Sequence, residues 1–512
     1  MEKILTAAQM RHAEELTEKA GTSTAQLMQN AGMAAARVIA EALARGGPEA
    51  RVLILCGPGN NGGDGLVAAE RLSERGYAVA AYTFRRQEPV PSRPLVIRHE
   101  DDTDLVALRR MVEGSTVVVD ALLGTGRLRP IAGPLAAILD AVRNATPPRV
   151  VVALDLPSGV DADTGAADPH TPPATITITF GFLKRGLLLG RGAELAGHVV
   201  TADIGMAPDA AMDVPLWRVT EEDVRARIPA RPRHVNKYSA GTVLLVAGSR
   251  RFTGAPQLAA LGAARAGAGL VTLATGASTH PILAAHLLEP TFLVLEDDAH
   301  GVLDPVPAVE EIRQAAPRYR ALLVGPGLAR AQNTVRFVEM LVCEDGLPEG
   351  LPVVLDAEGL NALARIDRWP ERKRYPLVLT PHSGEMARLC DGEGKESEAR
   401  RFDVAREKAR AWGIVVVLKG NPTVTAGPDG SAAVNATGGP NLASAGTGDV
   451  LGGMIAALIA QGATPFDAAV AGVYLHGRAG DDLAERYGDR GTLAGDLVPV
   501  IPTVLKTVMS GQ

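Results

Sequence analysis

A glycine-rich segment with polar side chains follows the apolar run RVLILC in the first part of the chain. It reads CGPGNNGGDG, from Cys56 to Gly65, and it leads into a stretch with helical periodicity. Glycine lets the backbone approach a ligand closely, and the amides at a helix N-terminus bind anionic groups. A tight strand-to-helix turn is the alternative, but two asparagines and an aspartate favour a ligand site. The spacing does not match the GxGxxG fingerprint of pyrophosphate binding.

Two further apolar runs in the same part of the chain end in polar side chains. Asp120 ends VVVD, while Asp155 and Ser158 follow VVAL. Each aspartate alone is often a helix cap or a turn residue. In a parallel sheet, however, the carboxyl ends of the strands meet at one crevice. Carboxylate, amide and hydroxyl oxygens suit a weakly held alkali or alkaline-earth cation better than zinc.

The later part of the chain contains a second group of candidate residues. In AGTGDVLGG, small residues precede a long apolar helix whose free amides could hold phosphate charge. Asp449 stands at the start of that helix as a candidate base, with an ordinary N-cap as the alternative. In VVVLKGNPT, Lys419 could meet a nucleotide, or it could be a solvated lysine in a hairpin. In LTPHSGE, His382 could contact a ligand or cap a loop.

Composition predicts a globular chain that buries a core. The 512 residues carry a net charge of −6, with 46% hydrophobic and 21% charged residues, which excludes a disordered or nucleic-acid-coating chain. Three scattered cysteines exclude a disulfide framework and favour a reducing cytoplasm. The charged N-terminus predicts no signal peptide. The longest apolar stretch, 451–475, is interrupted by Gln461, Pro465 and Asp467, so we expect no membrane span.

The elements that would position these residues follow an α/β pattern. Short β-rich runs alternate with helical periodicity, which predicts parallel sheets covered by helices on both faces. A long helix is expected over 24–44, and the strand pattern restarts at Gly241. The intervening segment is rich in Pro and Arg and shows neither the helical nor the strand periodicity of hydrophobic residues. We therefore place a boundary near Pro215 to Asp223. The prediction is two unlike domains, 1–219 and 220–512.

The first domain resembles the YjeF N-terminal domain, the NAD(P)H-hydrate epimerase, over about residues 1–215. GPGNNGGDG, DALLGTG and DLPSG match the hallmarks of that family in order and spacing. The resemblance implies a Rossmann-like three-layer α/β/α sandwich. Lys184 stands where the family usually has a lysine, although a surface lysine is the alternative. The implied contacts to the hydrate are Asn60, Asn61, Gly62, Gly63, Asp64, Gly124, Thr125, Gly126, Arg127, Leu128, Arg129, Pro130 and Asp155. The implied potassium ligands are Asn61, Asp120 and Ser158.

The second domain resembles the ribokinase-like superfamily over about residues 225–508, and within it the ADP-dependent NAD(P)H-hydrate dehydratase. FTGAP, GPGL, DAEGLNAL, LTPHSGE, KGNPT and AGTGD carry the resemblance. It implies a ribokinase-like α/β fold and magnesium bound with ADP. Ser383 stands where the family often has proline. The implied hydrate contacts are Ala255, Gly327, His382 and Asp449. The implied nucleotide contacts are Lys419, Gly420, Asn421, Pro422, Thr423 and Gly448.

Together the two resemblances imply a bifunctional repair enzyme for hydrated NADH and NADPH. One domain would interconvert the R and S hydrates, and the other would dehydrate the S form at the expense of ADP, giving AMP and phosphate. Asp449 would remove the hydroxyl proton while the amides of residues 445–448 hold the developing charge. There are two alternatives. One is a vitamin-type kinase that releases a stable phosphorylated product, and the other is a non-enzymatic first domain that senses a ligand or binds a protein. We expect small-molecule partners, no nucleic acid, no membrane and a cytoplasmic homo-oligomer.

Overall fold

The protein is described by a computed structural model. It describes residues 1–44, 50–86, 94–126, 130–146, 149–390 and 398–511, so the predicted contacts Arg127, Leu128 and Arg129 lie outside the described residues. The chain forms two compact units, Glu2–Val214 and Pro215–Gln512, with Met1 grouped with the second. We call them the first and second domains. The division lies earlier than the predicted 219/220, because Leu216–Arg218 pairs in parallel with a strand of the second domain.

The first domain is built on a seven-stranded parallel sheet in the order β4-β3-β2-β5-β6-β7-β9. The short strands β1 and β8 pair separately and in parallel. The strands are β1 (Glu2–Leu5), β2 (Arg51–Cys56), β3 (Ala78–Thr83), β4 (Leu95–Arg98), β5 (Val117–Ala121), β6 (Val150–Leu154), β7 (Ile176–Phe180), β8 (Leu183–Lys184) and β9 (His198–Ala202). The helices are α1 (Ala7–Lys19), α2 (Thr24–Ala44), α3 (Asn60–Glu74), α4 (Val106–Gly114), α5 (Pro134–Arg143) and α6 (Gly190–Leu195).

Alternating side chains of the central strand explain the layers of this domain. In β2, Val52 and Ile54 pack with apolar residues of α2 and α3. Leu53 and Leu55 point the other way and pack with residues of α4 and α5. A strand buried on both faces reads as a continuous apolar run, as RVLILC does. The chain leaves β2 for β3 on one side and later returns to β5 on the other, so the sheet has a switch point between β2 and β5.

The second domain has a larger, mostly parallel sheet in the order β13-β12-β11-β14-β15-β16-β17-β18-β19-β10, in which β17, β18 and β19 are antiparallel neighbours. Its strands are β10 (Leu216–Arg218), β11 (Thr242–Val246), β12 (Leu270–Gly276), β13 (Thr291–Leu295), β14 (Ala321–Val324), β15 (Val353–Leu355), β16 (Leu377–Leu379), β17 (Val415–Leu418), β18 (Thr423–Ala426) and β19 (Ala432–Asn435). Its helices are α7 (Glu221–Arg227), α8 (Gly254–Arg265), α9 (His280–Ala284), α10 (Pro305–Ala315), α11 (Gln332–Cys343), α12 (Glu358–Leu363), α13 (Trp369–Arg372), α14 (Ser383–Leu389), α15 (Arg401–Trp412), α16 (Thr447–Ala460), α17 (Pro465–Tyr487) and α18 (Ala494–Ser510).

The apolar helix α16 lies at the centre of the second domain. Its Val450, Met454 and Ile455 are buried in the same cluster as residues of α8, α17 and α18. A Cβ on Gly453 would overlap the carbonyl oxygen of Ala259 in α8, so this glycine serves close helix packing. The predicted α/β fold class is confirmed in both domains. No described helix is long and apolar enough to cross a membrane.

We expect each domain to fold when it is expressed alone, as residues 1–214 and 215–512. The apolar clusters described above are each drawn from one domain, and each domain has its own parallel sheet. Thermal unfolding should give one cooperative transition for each purified piece. If both pieces are insoluble, independent folding is disproved.

Candidate active sites

A cavity of about 520 Å³ lies at the carboxyl ends of β2, β5 and β6, beside the switch point of the first sheet. Gly62 and Gly63 are buried in the first turn of α3, and Pro130 is exposed outside the cavity lining. The predicted residues that line the cavity are Asn60, Asn61, Asp64, Gly124, Thr125, Gly126 and Asp155. The fold thus brings residues from three separate motifs to one place.

The glycines of this site have different uses. A Cβ on Gly57 would overlap the carbonyl oxygen of Leu122, and a Cβ on Gly62 would overlap that of Gly57. These two glycines therefore allow the loops after β2 and β5 to pack backbone against backbone. A Cβ on Gly124 would lie 3.3 Å from Cβ of Asn61 and 3.5 Å from Oδ2 of Asp155. Glycine at 124 keeps the space beside those two side chains open.

Of the three predicted cation ligands, Asn61 lines this cavity, and Asp120 and Ser158 are buried outside its lining. Asp120 is 1% exposed, and its carboxylate accepts hydrogen bonds from Oγ of Ser158 at 2.6 Å and from its amide at 2.8 Å. Burial raises the pKa of Asp120, and the bonds from Ser158 oppose that rise. Nδ2 of Asn61 donates to the carbonyl oxygens of Leu123 at 2.7 Å and Leu154 at 3.0 Å. Since carbonyls only accept, these contacts fix the amide orientation.

That orientation leaves Oδ1 of Asn61 buried without a hydrogen-bond partner among the described residues. A buried oxygen without a partner costs roughly 1–3 kcal/mol. The lone pairs of this oxygen are therefore available to a positively charged ligand. This observation fits a bound alkali cation, for which neutral oxygens are suitable ligands.

Lys184 forms a buried ion pair at the same cavity. Its side chain is 1% exposed, and Nζ lies 2.6 Å from Oδ1 of Asp155 and 2.7 Å from the carbonyl oxygen of Phe180. The alternative of a surface lysine is therefore wrong. Asp155 has a φ of +63°, and its amide donates to the carbonyl of Ile178 at 2.7 Å. A non-glycine residue in this left-handed region is held there by its surroundings, which is common at functional sites.

Asp64 lies one turn into α3 and lines the cavity. Burial, together with the nearby carboxylates of Asp155 and Glu14, raises the pKa of Asp64 to about 8. It therefore carries a proton near neutral pH. Arg86, which no motif indicated, donates from Nη1 to the carbonyl oxygens of Gly57 at 3.0 Å and Gly59 at 3.1 Å, and so braces the glycine loop.

A second cavity, of about 1100 Å³, lies in the second domain. Three of the four predicted hydrate contacts line it: Ala255, Gly327 and Asp449. Gly327 has a φ of +68°, and a Cβ there would lie 2.8 Å from the carbonyl oxygen of Phe252. The turn at Gly327 therefore packs directly against the segment that precedes α8.

Asp449 is the third residue of α16 and does not cap it. The N-cap is Gly446, with a φ of +92° and no side-chain cap, so the N-cap alternative for Asp449 is wrong. No described residue donates a hydrogen bond to its carboxylate. Burial raises the pKa of Asp449 to about 7; the carboxylate of Asp356 adds to this shift, and Lys419 opposes it. The first amides of α16 have no acceptor within the helix. The carboxylate of Asp449 thus lies beside the first amides of α16.

Lys419 is paired rather than solvated. Its Nζ lies 2.8 Å from Oδ1 of Asp356, which is 1% exposed and also accepts from Oγ1 of Thr380 at 2.8 Å. Burial would lower the pKa of Lys419, but Asp356 and Glu385 outweigh it and raise the pKa. A Cβ on Gly448 would lie 3.3 Å from Nζ of Lys419. The predicted nucleotide loop therefore meets the first turn of α16.

Arg401, another residue that no motif indicated, shapes that loop. Its Nη2 donates to the carbonyl oxygen of Lys419 at 3.1 Å, and a Cβ on Gly420 would overlap this guanidinium. Oγ1 of Thr423 donates back to the carbonyl of Gly420 at 2.9 Å, and the peptide bond between Asn421 and Pro422 is cis. These hydrogen bonds hold the backbone of the loop.

His382 caps α14. Its Nδ1 accepts from the amides of Gly384 at 3.0 Å and Glu385 at 3.4 Å, so a neutral ring carries its proton on Nε2. The side chain is 56% exposed and lies outside the lining of the second cavity, whereas Glu385 lines it. The capping alternative describes His382 in this structure. Contact with the hydrate stays a prediction.

Comparison with known proteins finds matches over nearly the whole chain. Residues 243–503 match the family model described as NAD(P)H-hydrate dehydratase, and residues 24–186 match that of the YjeF-related protein N-terminus. The bifunctional NAD(P)H-hydrate repair enzyme of Moorella thermoacetica is 38% identical, covering 99% of this chain and 97% of its own length. That of Salinibacter ruber is also 38% identical, covering 98% and 96%.

Among solved structures, the chain is similar to the ADP/ATP-dependent NAD(P)H-hydrate dehydratase of Bacillus subtilis, co-crystallised with ATP and Mg²⁺. The identity is 35%, the match covers 58% of this chain and 100% of that one, and the TM-score is 0.49.

Proposed function

The chain belongs to the family of bifunctional NAD(P)H-hydrate repair enzymes, and we propose that each of its two cavities carries one of the two repair reactions. The first cavity interconverts the R and S hydrates of NADH and NADPH. The second dehydrates the S hydrate at the expense of ADP, giving AMP and phosphate. The observation that carries this assignment is that seven of the predicted epimerase contacts line the first cavity, whereas three of the predicted dehydratase contacts line the second.

Dehydration starts from a hydroxyl group that is a poor leaving group. Asp449 accepts the hydroxyl proton while the hydroxyl oxygen attacks the terminal phosphorus of ADP and AMP leaves. The amides of residues 445–448 stabilise the charge on the transferred group. The ring nitrogen lone pair then expels phosphate, and loss of a proton from the neighbouring carbon restores the dihydropyridine. A vitamin-type kinase would stop at the phosphorylated product.

Magnesium would accompany the nucleotide. It is usually held by substrate phosphates with one or two carboxylates, and when bound it neutralises phosphate charge. Glu385, buried in the lining of the second cavity, and Asp356 are carboxylates near Lys419 of the nucleotide loop, as is Asp449. No group of three His, Cys, Asp or Glu side chains that could hold a metal occurs in the described part of the chain. A metal bound mainly through the nucleotide is compatible with these donors.

The pH dependence of dehydration should follow the carboxylate of Asp449. A base must be deprotonated to act, so kcat/KM should rise with pH through about 7 and level off above it. Below that value the proton-bound carboxylate should make the enzyme inactive. The measurement is kcat/KM for the S hydrate against pH, with epimerisation followed in the same samples. A flat profile across neutrality would argue against Asp449 as the base.

The cation site supports a prediction for epimerisation. Asp120 is the only full negative charge among the three predicted ligands, so Asp120→Ala should weaken potassium binding and raise the concentration needed for half-maximal epimerisation. Ser158→Ala, which keeps that charge, should have the smaller effect. Dehydration by the other domain of the same chain serves as the control for intact protein. Wild-type epimerisation with unchanged potassium dependence in Asp120→Ala would show that the cation is assigned to the wrong residues.

The whole proposal is tested by incubating the purified protein with mixed hydrate epimers, magnesium and either ADP or ATP. Recovery of dihydronicotinamide absorbance identifies the substrate, the reaction and the phosphoryl donor together. We expect full recovery with ADP. Accumulation of a stable phosphorylated hydrate would support the kinase alternative.

A further inference from the structure

Three arginines line the second cavity in addition to the predicted residues: Arg250, Arg251 and Arg330. A neutral nicotinamide hydrate does not require this positive charge. We propose that Arg250 and Arg251 bind a phosphate group of the hydrated dinucleotide, either its pyrophosphate or its 2′-phosphate. This inference rests on the proposed function of the second cavity.

The two arginines are carried by a turn that is fixed to the site. The amide of Phe252 donates to the carbonyl of Ser249 at 3.0 Å, and Oγ of Ser249 donates to the carbonyl oxygen of Gly327 at 2.8 Å. Nη1 of Arg250 donates to the carbonyl oxygen of Ala299 at 2.9 Å. The turn is therefore tied to a predicted hydrate contact on one side and to a neighbouring loop on the other.

The three arginines differ in their ion pairs, and the same lining also carries the carboxylates of Glu358, Glu385 and Asp449. Nε of Arg330 lies 3.0 Å from Oε2 of Glu358, so that arginine is paired. Among the described residues, no carboxylate pairs with Arg250 or Arg251. The guanidinium of Arg251 lies 5.6 Å from the ring centroid of Phe252. Two guanidiniums without a paired carboxylate, on a fixed turn at the edge of a substrate cavity, suit a phosphate ester, whose oxygens match the arginine fork.

Arg250 and Arg251 line the second cavity, whereas the loop predicted to bind the phosphoryl donor does not. Residues 419–423, the predicted nucleotide loop, do not line this cavity, whereas Asp449 does. The volume of about 1100 Å³ exceeds what a nicotinamide ring needs and lies slightly above the usual range of ligand pockets. The cavity thus extends from the candidate base to the arginine turn. If the reacting ring of a dinucleotide lies at Asp449, its phosphates can reach the arginine turn at the other end of the cavity.

The test is the double variant Arg250→Gln with Arg251→Gln, assayed with the hydrates of NADH and NADPH. Loss of charge-assisted hydrogen bonds should raise KM roughly tenfold and leave kcat nearly unchanged. An equal rise with both hydrates identifies the pyrophosphate, and a rise with the NADPH hydrate alone identifies the 2′-phosphate. Arg490→Gln is the matched control, because Arg490 is 92% exposed and outside the cavity. Unchanged KM values for both hydrates would overturn the inference.

A second measurement keeps this test separate from the proposed function. The dissociation constants of NADH and NADPH, followed by dihydronicotinamide fluorescence, should rise in the double variant and not in Arg490→Gln. Failure of the wild-type protein to dehydrate either hydrate would refute the proposed function alone. Wild-type turnover with unaltered binding in the double variant would refute the arginine assignment alone.

Discussion

Replacing Asp449 with asparagine should lower nucleotide-dependent dehydration about a hundred- to ten-thousand-fold, the usual effect of removing a general base. Asparagine keeps the size of the side chain but cannot accept the hydroxyl proton. Helix α16 should remain intact, because its N-cap is Gly446 and not Asp449. Epimerisation should be unchanged, since it belongs to the other domain. The measurement is recovery of reduced cofactor from the S hydrate, with epimer exchange followed by chromatography.

Asp496→Asn is the matched control for this variant. Asp496 is also the third residue of a helix, α18, but it bonds the amide of Leu493 and lies outside the cavity lining. It should keep nearly full activity. If Asp449→Asn retains more than about a tenth of the wild-type rate, which is more than loss of a base allows, another group removes the proton.

The second large effect is expected at the buried ion pair of the first domain. Lys184→Met should lower the free energy of unfolding of that domain by about 3–5 kcal/mol, because it leaves the carboxylate of Asp155 without its partner. It should also abolish epimerisation. Hydrogen exchange of the first-domain strands, measured in the full chain, reports this loss apart from the second domain.

The double variant Lys184→Met with Asp155→Asn should recover most of the lost stability but not the activity, because no unpaired charge remains buried. Lys19→Met, at the exposed end of α1, is the control for loss of one lysine. If Lys184→Met lowers the free energy of unfolding by less than about 1 kcal/mol, the effect falls in the range measured for exposed ion pairs. Such a result would contradict a buried pair.

The hydrophobic pattern of the sequence predicted the strands well where both of their faces are buried. The helix expected over 24–44 is α2, and the apolar runs RVLILC, VVVD and VVAL lie in β2, β5 and β6. The chain divides at Val214/Pro215, which is the start of the predicted boundary region, Pro215 to Asp223, but comes before the limit of 219/220 chosen within it. The reason is that β10 belongs to the second domain through its pairing with β19, a contact made over a long sequence separation.

Some residues that no motif indicated hold the site loops through contacts with residues distant in sequence. Arg86 binds carbonyl groups of the loop after β2, and Arg401 binds those of the loop after β17. Arginine in a helix or after a strand is common, so neither has a local signature. Asp356 stood in a recognised motif, but its pairing with Lys419 depends on the neighbouring ends of separate strands. Protonation of Asp64 follows from burial, which a motif does not contain.

The measurement that tests the central claim most directly starts from the purified R hydrate of NADPH, with ADP, magnesium and potassium. One chain with an epimerase site and an S-specific dehydratase site should convert all of it to NADPH, well above a control without protein. Asp449→Asn should stop at a mixture of R and S hydrates, and Lys184→Met should leave the R hydrate unchanged. Failure of the wild-type chain to consume the R hydrate, while it dehydrates the S hydrate, would contradict two working sites in one chain.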